Sequence, residues 1–314
     1  MKKSNIDIAV LLIFFTRTEK TLKVFEQIRL ARPSKLYLYQ DGPRNGHEDD
    51  IYNINQCRQN IENRLDWDCE VHRWYRKDNI GCDPSEFIAQ KWMFSTETKG
   101  IILEDDDIPS LSFFPYCKEL LDKYENDNRI NIISGQNVLG KIDDCPNDYF
   151  FSTLGPIWGW ATWKRTIDAW DDKYEFLNDK YTIDLLLENG DLSPQRLKTM
   201  QRHCKAGIAY YETILASHRM LNNKLNIIPK YNLISNIGVG EVTTHTVSSL
   251  DQMPKKFQKL YYQQTYELTC PLNHPKYVIH NKRYTQMITD FYKFGFKEKI
   301  EYKLIQLKQF IKKH

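Results

Sequence analysis

Four consecutive carboxylates, Glu104, Asp105, Asp106 and Asp107, follow directly on three apolar residues, Ile101, Ile102 and Leu103. An apolar run that turns acidic reads as a buried strand with a charged tip. Lys99-Gly100 punctuates its start, and Pro109-Ser110 opens the next helix. Open α/β sheets place their ligands at the carboxyl ends of such strands. Adjacent carboxylates repel one another, so holding four together calls for a compensating cation. Oxygen-only ligands suit Mg²⁺ or Mn²⁺, and an ion held by one or two carboxylates with open positions commonly carries a substrate's phosphates. A solvated acidic turn with no ligand is the competing reading.

Phosphates on a metal need a transferable group, an acceptor and a base, and the second half of the chain offers three segments for these roles. Gly155 to Trp163 places two glycines, Gly155 and Gly159, among three Trp rings, so backbone can approach a ligand beside aromatic surface. A core Trp cluster is the plainer alternative. Tyr210-Tyr211-Glu212 opens a helix, and a carboxylate flanked by aromatics is desolvated towards the range useful to a general base. The alternative is a solvated first-turn glutamate near the positive end of the helix dipole. The run from Asn232 to Thr246 carries Gly238, Gly240 and His245, suited to a loop closing over a diphosphate with His245 on the metal or a phosphate. A lone surface histidine would look the same.

The elements that must position these groups follow from periodicity. Ile8–Phe15 is a wholly apolar first strand, as a buried parallel strand should be. Thr16 or Thr18 is placed to cap a helix reaching about Leu30, and Lys35–Tyr39 is a second strand ended by Gln40-Asp41-Gly42-Pro43. A polar helix over about 48–65, a short strand near 69–74 and a helix opened by Asp83-Pro84 lead to the acidic strand. Ser110 or Ser112 then caps a helix carrying Phe113, Cys117, Leu120, Leu121 and Tyr124 on one face. After a strand at Asn131–Ser134 the βα alternation breaks down. This predicts an α/β domain over 1–250, with a nucleotide-binding half (1–135) and a substrate half (136–250), followed by a basic helical extension over 251–314. No Gly-x-Gly-x-x-Gly follows the first strand and no P-loop occurs, which argues against a dinucleotide oxidoreductase or P-loop NTPase.

The 314 residues suffice for a substantial core, and aromatics at 13% lean towards a sugar or base ligand. Net charge is +3, yet residues 281–314 hold nine Lys/Arg against three Asp/Glu, so the rest of the chain is slightly acidic. That excludes a basic nucleic-acid face on the main body. The seven cysteines are scattered without a C-x-x-C pair, as in a reduced, cytoplasmic protein. No run approaches the roughly 20 apolar residues of a spanning helix. Over 285–314, Ile300, Leu304, Leu307 and Ile311 share one face among lysines. Such a helix suits peripheral contact with an anionic membrane, or packing on the domain or a second subunit.

Leu103-Glu104-Asp105-Asp106 with Pro109 and Phe113-Phe114, then Trp158-Gly159-Trp160, then the Asn232–Thr246 run together resemble a GT-A nucleotide-sugar glycosyltransferase. The resemblance spans residues 8–246 and is nearest to the N-acetylglucosaminyltransferase I-like branch and bacterial surface-polysaccharide enzymes. It implies a Rossmann-like, mostly parallel central sheet flanked by helices, with the C-terminal helical extension beyond it. It further implies that Arg17 and Asp41 hold nucleobase and ribose, and that Asp105 touches the ribose or donor sugar. Asp106, in a DXD-like motif, would be the main ligand of Mn²⁺ or Mg²⁺, joined by His245. Gly155, Trp158, Gly159 and Trp160 would shape the donor pocket, and Glu212 would stand where the family has its catalytic base, usually an Asp. The pattern has no use for Asp107. The implied activity is inverting transfer from a nucleotide-diphosphate sugar, UDP-linked, to a hydroxyl of a glycan or lipid-linked acceptor in surface polysaccharide synthesis. The rival readings are a sugar-phosphate nucleotidyltransferase, disfavoured by the missing glycine-rich loop after the first strand, and an inactive glycan-binding scaffold of the same fold.

Overall fold

The computed structural model describes residues 1–239, 249–293 and 295–313. Three strand-helix units come first: β1 (Ile6–Phe14), α1 (Thr18–Ala31), β2 (Pro33–Gln40), α2 (Glu48–Glu62), β3 (Glu70–Tyr75) and α3 (Cys82–Thr96), leading into β4 (Lys99–Glu104). The acidic run leaves β4 through β5 (Asp107–Pro109), and α4 (Phe113–Lys123) and β6 (Ile130–Ser134) follow. The second half contributes β7 (Tyr149–Ser152), β8 (Trp160–Trp163), α5 (Lys164–Asp168), α6 (Lys180–Glu188), α7 (Pro194–Ala206), α8 (Tyr211–Leu221), β9 (Leu225–Pro229) and β10 (Ile234–Asn236). The chain closes with α9 (Lys255–Gln258), α10 (Lys282–Tyr292) and α11 (Phe296–Lys313).

One 8-stranded sheet runs β3-β2-β1-β4-β8-β6-β9-β7. It is mostly parallel and flanked by helices, as expected, with β8 and β7 running against the rest. β8 lies between β4 and β6, so the two halves of the chain share one sheet instead of forming separate layers. The alternation of side chains along β1 explains its unbroken apolar sequence. Val10, Leu12 and Phe14 face α1, α2 and α4, while Leu11 and Ile13 face the layer of α3 and α8. A buried aliphatic side chain of this kind contributes about 1.5–3 kcal/mol. Gly100 lets α3 approach β4, since a Cβ there would stand 2.8 Å from Met93 Cε and 3.2 Å from the Ala9 carbonyl oxygen.

Two capping expectations are corrected. Position 17, not a threonine, is the N-cap of α1, and Thr18 Oγ1 lies 3.0 Å from Cys57 Sγ instead of on a helix N–H. Ser112 occupies the N-cap of α4 without capping it, because its Oγ accepts the N–H of Leu268 at 2.9 Å. The free N–H groups of Leu111 and Ser112 are taken by the Glu267 carboxylate at 3.1 and 2.7 Å, an anion from the far end of the chain set at the positive end of the helix.

The tail is two helices, where its periodicity suggested one. α10 packs on the domain, burying Tyr284 and Ile288 against Phe150. α11 leaves Phe296, Ile300, Leu304 and Leu307 exposed. Among the described residues no helix is long and apolar enough to cross a membrane. All seven cysteines are free thiols.

Candidate functional site

The acidic run does not present one cluster of oxygens. Its four side chains diverge in three directions, and each finds its own compensation. Asp105 and Asp106 both turn to Arg17, which follows the tip of β1. Arg17 Nε donates to Asp105 Oδ2 at 3.2 Å, its Nη2 donates to Asp105 Oδ1, and Nη2 also lies 2.7 Å from Asp106 Oδ2. Burial by itself would lower the pKa of this guanidinium, but the two carboxylates raise it, so it stays charged. Burial pushes Asp106 up, and Arg17 opposes that shift. The cation that adjacent acids call for is thus supplied at least partly by the chain itself.

Asp107 faces inward. Its carboxylate accepts the Gly159 N–H at 2.9 Å and the Asn236 side-chain amide at 3.0 Å. The same amide donates to Asp106 at 2.9 Å, and Asn236 pairs with Asp107 across the antiparallel β5 and β10. Asp107 therefore ties the Trp158-Gly159-Trp160 segment and β10 to the acidic tip. Gly159 has φ +58, and a Cβ there would stand 2.4 Å from Ile234 Cδ1, so the segment needs glycine at this point.

Glu104 points to the other side of the sheet, where Tyr211 Oη donates to it at 3.1 Å. It meets Glu86, from the second turn of α3, to which Cys82 Sγ donates at 3.2 Å. Burial raises both carboxyls well above the usual range. Glu86 is raised further by Glu212, and Glu104 by Glu86 and Asp107. Glu86, Glu104 and Glu212 are thus one electrostatic group. Sequence gave no sign of Glu86, a single acid in an amphipathic helix whose meaning comes only from its distant neighbours.

Two cavities lie on either side of this group. The smaller, ≈ 160 Å³, is lined by Arg17, Asp41, Asp105, Glu104, Glu86 and the aromatic rings of Phe14, Phe15 and Tyr39. The larger, ≈ 400 Å³, is lined by Gly155, Ile157, Glu212, Asn131, Arg196 and Arg219, with Tyr284 and Ile288 of α10 as one wall. The structure therefore brings Arg17, Asp41 and Asp105 together in one cavity, and Gly155 and Glu212 in the other. Asp41 spends much of its acceptor capacity on the N–H groups of Gly42 (2.9 Å), Ile80 (3.1 Å) and Gly81 (3.0 Å), and so shapes the cavity's rim. Burial raises its pKa and these N–H bonds lower it, with a net rise.

The aromatic segment behaves differently from its sequence-level picture. Trp158, Gly159 and Trp160 line neither cavity. Trp160 is buried and stacks on Tyr211 at 6.3 Å, so it bears on the site through the Tyr211 to Glu104 hydrogen bond. Trp158 packs against Tyr261 at 5.1 Å. His245 lies outside the described residues.

Among the described residues no group of three or more His, Cys, Asp and Glu is placed to hold a metal ion. Mg²⁺ and Mn²⁺ are instead commonly held by one or two carboxylates together with substrate phosphates. Asp105 and Asp106 offer hard oxygens of that kind, here paired with Arg17 and Asn236, so an ion held by them would replace part of that pairing. Gly238 packs closely on Asp106, since a Cβ there would stand 2.5 Å from Asp106 Oδ2.

No protein-family model matches the chain, and no curated protein sequence does. Solved structures give distant likenesses. The apo form of a UDP-glucose pyrophosphorylase aligns at 9% identity and TM-score 0.36 over 74% of this chain and 93% of its own. HddC from Yersinia pseudotuberculosis aligns at 14% identity and TM-score 0.32 over 55% and 84%. The apo glycosyltransferase GlyE of Streptococcus pneumoniae TIGR4 aligns at 13% identity and TM-score 0.30 over 98% and 64%. Likenesses this distant carry no argument about what this chain does.

Proposed function

We propose that the protein is a metal-dependent, inverting glycosyltransferase that moves a sugar from a nucleotide-diphosphate donor, UDP-linked in the first instance, to a hydroxyl of a glycan or lipid-linked acceptor. The observation that carries this reading is the meeting of Arg17, Asp41 and Asp105 at the carboxyl ends of three parallel strands, beside a second cavity that holds Glu212. Strand ends of an open α/β sheet are where such ligands bind.

The smaller cavity takes the nucleoside, between the Phe15 and Tyr39 rings and the polar edge of Arg17 and Asp41. Asp105 and Asp106, joined by His245, would hold Mn²⁺ or Mg²⁺ next to the diphosphate. When bound, the ion would neutralise charge developing on the leaving diphosphate. Glu212 accepts the proton of the attacking acceptor hydroxyl, and Glu86 and Glu104 fix the field around it. Tyr211, clamped by Trp160, holds Glu104 in place. The exposed apolar face of α11, with its flanking lysines, supports a peripheral site of action on the anionic inner face of a membrane.

A thermal-shift screen of nucleotide sugars with and without Mn²⁺ tests the reading, because a donor bound only by the folded state raises its melting point. At a ligand concentration 100 times Kd the stabilisation is about 2.7 kcal/mol. Asp106→Ala is expected to lose the Mn²⁺-dependent part. Release of pyrophosphate instead of a nucleoside diphosphate in turnover would favour a nucleotidyltransferase. A screen without any stabilising nucleotide sugar would overturn both.

A further inference from the structure

The larger cavity holds polar groups for which proton transfer by Glu212 has no use. Arg219 of α8 lines it while only 7% exposed, and its one ion contact among the described residues, to Asp191, is long at 3.6 Å. A guanidinium has five N–H donors, so most of those on Arg219 are left for whatever fills the cavity. Arg196 reaches the same cavity from α7, on its exposed rim, and its guanidinium makes no hydrogen bond or ion pair with a described residue. Asn131, 1% exposed, gives its amide N–H to Asn226 at 3.1 Å, while its Oδ1 has no partner. A buried amide oxygen without a donor is costly; Asn131 is among the residues lining the cavity, while this oxygen itself is enclosed.

These groups describe a ligand. Two guanidiniums ask for an oxyanion, and Ile288, Leu215 and Tyr292 supply an apolar wall for a ring. The titratable groups facing the cavity are Arg196, Arg219, Glu212, Tyr284 and Tyr292, with Asp191 behind Arg219. Asp191 stands 3.6 Å from Arg219, whereas Arg196 has no ion pair with a described residue, so a neutral ligand would leave the Arg196 guanidinium unpaired.

We propose that the larger cavity binds an acidic sugar unit of the acceptor, with its oxyanion between Arg196 and Arg219. The inference rests on the glycosyltransferase reading for the word acceptor, while the ligand chemistry comes from the cavity alone. The oxyanion is a carboxylate, as in a uronic acid, or a phosphate ester. A site built to pair such a group rejects the neutral analogue because its donors are then left unpaired.

The test is calorimetric titration of the full chain with three probes: tri-galacturonate, the same trisaccharide with its carboxyls reduced to alcohols, and a glycerol-phosphate trimer. The wild type is expected to bind one or both anionic probes at least tenfold more tightly than the reduced one. Preference for the first identifies a carboxylate site, and preference for the third a phosphate site. Arg196→Gln, on the rim, is expected to remove most of that preference, and Arg219→Lys to weaken it. Equal affinity for all three probes, or a preference unchanged in Arg196→Gln of normal melting temperature, overturns the proposal. The Mn²⁺ and nucleotide-sugar thermal shift, run on the same preparations, reports separately on the transferase reading. Anionic preference without a donor shift would strike that reading and leave the oxyanion site standing.

Discussion

Replacing Asp107 with alanine isolates what the fourth carboxylate does. Asp107 is fully buried, and two donors depend on it: the Gly159 N–H at 2.9 Å and one N–H of the Asn236 amide at 3.0 Å, the other serving Asp106. Each orphaned buried donor costs about 1–3 kcal/mol. Against this, the variant is relieved of a carboxylate whose burial and proximity to Asp106 disfavour its charge, as the upward shift of its pKa records. A net loss of about 2–3 kcal/mol is expected, read as a fall of about 0.5–1 M in the urea midpoint followed by tryptophan fluorescence. Asp107→Asn keeps an acceptor for Gly159 and drops the charge, so it should stay within about 1 kcal/mol of wild type. If alanine unfolds at the wild-type midpoint, or asparagine costs as much as alanine, the hydrogen bonds are not what Asp107 contributes.

Glu212→Gln should keep the donor-induced thermal shift and lose turnover, with kcat down by about 10²–10⁴-fold, and an unchanged kcat would remove Glu212 as the base. Glu86 and Glu104 titrate above the ordinary carboxylate range in the folded state, so their contribution to stability is full below about pH 4 and is lost as pH rises through their folded values. Wild type should therefore lose stability relative to Glu104→Gln as pH rises above the ordinary carboxylate range, by at most about 1.4 kcal/mol per pH unit for each proton released, and a gap independent of pH refutes this. Removing residues 295–314 takes off α11 but leaves the α10 wall of the larger cavity. Such a chain should fold and bind nucleotide sugar while losing co-sedimentation with anionic liposomes, and equal co-sedimentation of both forms counts against the membrane reading.

The first half of the fold was legible because each of its elements is announced locally. The apolar β1, the Gln40-Asp41-Gly42 turn and the Gly100 to Asp107 strand and tip all carry their own punctuation, and the structure places them where that punctuation falls. The second half was opaque for a matching reason. β8 is four residues long and finds its place only between two strands that come earlier in the chain. The same distinction holds in the site. Arg17, Asp41 and Asp105 sit at strand ends, where position alone confers a role. Glu86, Arg196 and Arg219 lie on helices and acquire theirs from residues far away in sequence, which no spacing records. Trp158 and Trp160 run the other way, a conspicuous local cluster whose rings pack on Tyr261 and Tyr211 and line neither cavity.

The antiparallel β8 also bears on the order in which the molecule can assemble. As the chain leaves the ribosome, β1 to β4 can pair among themselves, but the free edge of β4 stays open until residues 160–163 arrive. Asp107 waits longer still, because its partner Asn236 is made 129 residues later. Closing such long loops costs entropy before any contact repays it, which slows folding and exposes an unpaired strand edge meanwhile. Nascent chains stalled before residue 160 should therefore be aggregation-prone, with β4 as the adhesive edge.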